Sequence, residues 1–139
     1  MQIPILTAVV NHRFWQRGGL LIARLIIAAV FAMACITKFT DIGSTAGIIE
    51  AAGFPMALPL AWIAAIFELL LVLAFLTGVA MREAALLAAI YILFLAFAFH
   101  GPKAWEDHMQ FGVFVDHFSF AAGLLYMTAF GPGPLGWKK

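Results

Sequence analysis

Residues 58–78 read LPLAWIAAIFELLLVLAFLTG, and this stretch decides the fold. A helix of about 20 residues crosses roughly 30 Å of hydrocarbon. The run holds a single charged side chain, Glu68, near its middle. On insertion scales an acidic side chain at the centre of a spanning helix costs about 2.5 to 3.5 kcal/mol, so such a residue faces protein, water or a ligand instead of lipid. Ala61, Ala64 and Ala65 precede Glu68 at helical spacing and lie on its side of the helix. Small residues there let a second helix approach closely, so Glu68 is expected to point into a bundle.

Composition extends this to the whole chain. Of 139 residues, 65% are hydrophobic and only 11% charged, with a mean hydropathy of +1.03, which excludes an ordinary soluble domain and a disordered chain. The length allows one bundle of spans. A net charge of +1, with no basic cluster interleaved with aromatics, gives no reason to expect nucleic acid as a partner. The single cysteine, Cys35, cannot close an intrachain disulfide. Residues 1–10 are apolar but lack a basic start and a small-residue cleavage site, so no cleavable signal is expected.

Working outward from residues 58–78, the pattern predicts an all-α membrane four-helix bundle with a short interfacial helix between spans 1 and 2. Residues 1–17 form a cytoplasmic interfacial arm, with Trp15 at the headgroup level and Arg13 and Arg17 on the aqueous side. The bundle occupies residues 18–131, and residues 132–139 are a cytoplasmic tail whose GPGPLG stops any helix. Span 1, residues 18–39, carries Arg24, Ala28, Phe31, Cys35 and Lys38 on one stripe. The interfacial helix covers residues 44–52, capped by Ser44 or Thr45 and ended by Gly53 and Pro55. A tight turn at residues 77–83 makes spans 2 and 3 antiparallel neighbours. Span 3 covers residues 83–100 and span 4 residues 109–131. Arg13, Arg17, Arg82, Lys138 and Lys139 fall on one side, against Lys38 and Lys103 on the other, so both termini are expected to be cytoplasmic.

The polar residues inside the spans invite pairing. At 1.5 Å per residue, Arg24 lies about 10 Å and Glu68 about 15 Å from the cytoplasmic boundary, within an arginine's reach, so a pair is expected. By the same count Lys38 sits at the outer boundary and Asp116 about 10 Å inside it, giving a second pair. Gly112, Asp116, Ser119 and Gly123 share one face of span 4, a small and polar seam better suited to helix contact than to lipid, so Asp116 is expected to point inward. The plainest consequence is two structural ion pairs, Arg24–Glu68 and Lys38–Asp116, that fix helix register.

A more specific arrangement is a polar cavity in the outer half in which a quinone headgroup sits. Lys38, His100 and His117 would bind the quinone, and His100, Asp116 and His117 would carry protons. Phe94, Phe97 and Phe99 supply apolar wall nearby. His100 and His108 flank Glu106 and Asp107, with Met33, Cys35 and Met109 toward the same end, but no ligand spacing is diagnostic and no metal site is assigned. His100 and His117 differ by about 10 Å in depth and there is no C-x-x-C-H, so neither a haem held by these two nor a covalently bound cofactor is expected. Any redox centre is then expected on a partner, unless the quinone arrives already reduced.

Residues 20–136 resemble the DoxX family of small bacterial and archaeal membrane proteins. The likeness rests on Arg24 and Leu25, on Lys38, on the Gly-Phe-Pro turn at residues 53–55, on Glu68, on the turn at residues 78–82 and on His100. It implies a four-helix bundle of the bacterial or archaeal cytoplasmic membrane and, as in some relatives, membership of a terminal quinol oxidase or thiosulfate:quinone oxidoreductase complex. Two stretches depart from the family pattern: CITK at residues 35–38 lacks the usual glycine, and FVDH at residues 114–117 replaces a Phe-x-Lys-Asn pattern. The expected function is an accessory subunit of a quinone-linked redox complex. The alternative is a structural or assembly subunit whose buried polar residues only lock the helices. The expected partners are the lipid bilayer and a larger membrane complex or further copies of the chain. A permease is disfavoured, since no paired broken helices are visible.

Overall fold

A computed structural model describes residues 4–136, apart from the side chain of Gln16. Its long helices are α2 (Leu20–Thr40), α4 (Ala57–Thr77), α5 (Met81–His100) and α6 (His108–Phe130), each long and apolar enough to cross a membrane. Two shorter ones are α1 (Pro4–Val10) and α3 (Ile42–Ala51). No strand occurs among the described residues, so the expected all-α four-helix bundle is the observed one.

The helix ends follow local chemistry. Helix α3 starts earlier than residue 44 because Asp41, not Ser44 or Thr45, is its N-cap, its side chain accepting from the Ser44 amide at 3.0 Å. At its other end Gly53, with φ +87°, gives the left-handed exit that glycine favours. Asp107 caps α6 in the same way, through the Met109 amide at 2.8 Å. A π-helical turn, Trp15–Gly19, runs straight into α2, and α1 before it contains no buried residue.

Helix α2 packs along α4, and α5 along α6, with lighter contact between α4 and α5. The two pairs close on each other at the end carrying Arg24. There a core of Ala28, Phe31, Leu71, Phe75, Ala85, Ala88, Leu124 and Met127 joins all four spans. Alanines at the contacts let the backbones come close, while Leu, Ile and Phe cover the outer surface, the arrangement expected of a bundle solvated by lipid.

Arg24 closes this end. Its guanidinium, on a residue only 3% exposed, donates from Nη1 to the Pro132 carbonyl at 3.2 Å and from Nη2 to the Leu76 carbonyl at 3.3 Å. Leu76 lies in the last turn of α4, where unpaired carbonyls and the negative end of the helix dipole favour a cation. Gly78 follows with φ +79°, and a Cβ there would lie 3.0 Å from Arg24 Nη1 and 3.1 Å from Gly136 Cα. Pro132 and Gly136 therefore pack against Arg24 and Gly78, while Pro134 and Leu135 are exposed. Lys138 and Lys139, both used in the topology count, lie outside the described residues.

Arg24→Met removes two charge-assisted hydrogen bonds and leaves the α4 terminus uncapped. It is expected to lower unfolding stability in detergent by about 2 kcal/mol or more. Arg24→Lys, which cannot fork between two carbonyls, should recover only part of that loss.

Candidate functional site

Glu68 points into the bundle as its alanine-lined face requires, and it is 2% exposed. Its cation is Lys38: Nζ lies 2.9 Å from Glu68 Oε1. The expected Arg24–Glu68 pair does not form, because Arg24 is engaged at the far end of α4. The cause is the lean of helical side chains toward their own N-terminus. On α2 that lean carries Arg24 away from the membrane centre and Lys38 toward it. On antiparallel α4 it carries Glu68 toward Lys38.

Tyr91 of α5 completes the cluster, its hydroxyl donating to Glu68 Oε1 at 2.8 Å. A tyrosine placed mid-span has its hydroxyl in hydrocarbon unless a partner is found, and the carboxylate supplies one. That requirement was readable in the sequence, but the phenol is hidden in an otherwise apolar run. Glu68 Oε2 is buried with no hydrogen-bond partner among the described residues.

Beyond Lys38 the two helix pairs diverge and leave a cavity of about 770 Å³. Lys38 and Thr37 reach it from α2, Thr45 and Ile49 from α3, Ala64 from α4, Tyr91, Leu95 and His100 from α5, and Gln110 and His117 from α6. Phe54, just after α3, packs on Phe94 and Phe99 of α5 with ring centroids 6.0 and 5.9 Å apart, tying the α3 segment across to α5. Phe99 lines the cavity. Phe97 instead joins Phe114 and Phe118 on the outer side, at 59% exposure.

His100 and His117 come together, with ring centroids 5.2 Å apart, despite the depth difference counted along the backbone. The same lean explains it: His100 on α5 tilts toward the membrane centre, and His117 on antiparallel α6 tilts toward the outer end. His117 Nδ1 lies 2.7 Å from the Val113 carbonyl, which only accepts, so Nδ1 carries the hydrogen. His100 Nδ1 lies 2.6 Å from Gln110 Oε1, an acceptor. Each ring therefore keeps Nε2 as its free nitrogen. Gln110 went unrecognised in the sequence, where nothing separates it from an ordinary first-turn polar residue.

Asp116 is not part of this assembly. It is exposed on the outside of α6, about 100° around the helix from His117, and the Lys38–Asp116 pair is absent because Lys38 turns to Glu68. Gly112, Ser119 and Gly123 are exposed with it, so the seam expected to face a neighbouring span faces outward. Cys35 is buried, its Sγ 3.8 Å from the Ala65 carbonyl. No group of three or more His, Cys, Asp or Glu side chains suited to a metal ion occurs among the described residues.

Compared with known proteins, the chain matches the DoxX family model over residues 19–101, which takes in α2 to α5 and with them Lys38, Glu68, Tyr91 and His100. No curated protein and no solved structure matches it.

Removing one partner of a buried pair leaves the other charge uncompensated, whereas removing both does not. Lys38→Met and Glu68→Leu are each expected to cost about 3 kcal/mol in stability, and the double variant clearly less than their sum. A denaturation cycle in detergent checks this, with additive effects counting against the pair.

Proposed function

The chain belongs to the DoxX family, and we propose that it is an accessory subunit of a membrane redox complex that contributes a quinone-headgroup pocket. The observation that carries this is that the cavity between the helix pairs is lined by polar groups from both of them. From α2 the Lys38 ammonium, with hydrogens beyond the one directed at Glu68, can donate to a carbonyl oxygen. From α5 and α6 the free Nε2 atoms of His100 and His117 can accept from a hydroxyl or take its proton. Apolar side chains make up most of the remaining wall, and the volume falls within the roughly 300–1,000 Å³ typical of small-molecule sites.

In this role the polar residues divide. Lys38, His100 and His117 bind the headgroup, and the two histidines exchange protons with it. Glu68 and Tyr91 hold Lys38 in place and act through it. Asp116, outside the cavity, takes no part. Electrons pass to or from a redox centre on a partner protein.

The setting we propose is a bacterial or archaeal cytoplasmic membrane with both termini cytoplasmic. Arg13, Arg17 and Arg82 gather at the Arg24 end, while Lys103 and the cavity are at the other, so the pocket opens in the outer half. With impermeant maleimide on intact cells, Lys103→Cys should label and Val79→Cys should not; the reverse pattern would invert the topology.

The pocket is tested with the purified chain in lipid nanodiscs and decylubiquinone as probe. His117→Ala should weaken binding about tenfold, the worth of one good hydrogen bond, and Ala64→Phe, which fills the cavity, should abolish it. Asp116→Leu should bind as the unaltered chain does. Equal binding in all four would exclude the cavity as the quinone site. The subunit role predicts that a haem-, flavin- or iron–sulfur-bearing protein co-purifies in mild detergent and loses quinone turnover when His117→Ala is present. Unchanged turnover would remove that role.

A further inference from the structure

Among the described residues, Asp116 is an acidic side chain well inside a span without a partner, whereas Glu83, also unpaired, sits in the first turn of α5. Helix α6 runs over His108–Phe130, and Asp116 lies about 12 Å along it from His108. It is exposed, and no hydrogen bond or ion pair reaches it among the described residues. A carboxylate one methylene from its backbone cannot stretch to the headgroups as a lysine can. Facing lipid at that depth, it is among the least favourable placements a side chain can have.

The surface around it is shaped for close approach. Gly112 and Gly123 lie one turn before and two turns after Asp116, with Ser119 between, all on the same exposed side. A Cβ added at either glycine meets no atom within 4 Å, so no part of this chain occupies the room they leave. Ala121 and Leu124, about 140° and 80° around the helix from Asp116, mark the side committed to the bundle, and buried Met127, one turn after Gly123, closes the exposed face at the end nearer Phe130.

We propose that this face of α6 is the docking surface for a spanning helix of a different protein that carries a lysine or arginine at the depth of Asp116. The charge identifies the occupant. A cation on the incoming helix compensates the carboxylate, and the glycines admit its backbone closely enough for the long basic side chain to lie along the groove. A second copy of this chain does not meet the requirement. Among the described residues its cations well inside the spans are Arg24 and Lys38, both engaged, while Arg13, Arg17, Arg82 and Lys103 sit at helix ends or in loops. A twofold axis along the membrane normal would instead set Asp116 against its own equivalent, like charge against like. Nothing in this docking depends on the quinone pocket, which lies on another side of α6.

The test uses the full chain, dye-labelled in phosphatidylcholine vesicles, with acceptor-labelled poly-leucine spanning peptides bearing Lys, Leu or Glu at the matching depth. Energy transfer should report association of the Lys peptide about tenfold tighter than that of the Leu peptide. Asp116→Leu should abolish the difference, and Gly112→Leu should weaken association with Asp116 intact. Asp116→Lys should transfer the preference to the Glu peptide, which a merely damaged fold would not do. Equal association of the Lys and Leu peptides would overturn the proposal. Self-association of the chain without peptide, lost in Asp116→Leu, would assign the face to a second copy and overturn it equally.

Discussion

A lysine and a glutamate meeting at 2.9 Å within the apolar layer are the contact around which the other polar groups of this bundle fall into place. Neither charge is tolerable there alone, and the pairing holds α2 to α4 at the level where the two helix pairs begin to separate. Tyr91 brings α5 to the same carboxylate oxygen, so one acceptor gathers three spans. Below this level alanines and a few large side chains pack the helices shut. Above it the pairs diverge, and the space between them is the cavity.

That division explains why the chemistry concentrates at one end. At the Arg24 end the buried cation is consumed by backbone carbonyls, with no acidic partner among the described residues, so it fixes the end of α4 and the turn after it. At the Lys38 end the cation keeps hydrogens to spare and faces a space large enough for a ring. Two cations on one helix stripe thus have opposite roles, decided by what each meets.

The fold was largely legible in the sequence because it follows from length and hydropathy: four apolar runs, the Gly53–Pro55 break and the Gly78 turn leave few alternatives. The inward turn of Glu68 was legible too, from Ala61, Ala64 and Ala65. The partner of Glu68 was not legible this way, since counting rise along the backbone places Arg24 nearer to it than Lys38 and ignores which way each side chain leans. The same omission set His100 and His117 too far apart. With the lean included, antiparallel neighbours converge when each residue is C-terminal to their meeting level, as Lys38 with Glu68 and His100 with His117 are. Asp116 failed for another reason. A small polar seam marks a face fit for helix contact without saying whose helix, and none of this chain's own spans covers it.

The arrangement of the polar groups requires Glu68 to be a carboxylate paired with Lys38. Infrared difference spectra of the chain in lipid, with Glu68→Gln used to assign the band, measure this directly. The Glu68 band should be that of an ionised carboxylate in the unaltered chain and in Arg24→Met, and should become that of a protonated acid in Lys38→Met. A band unmoved by Lys38→Met, or one that becomes protonated in Arg24→Met instead, would contradict it.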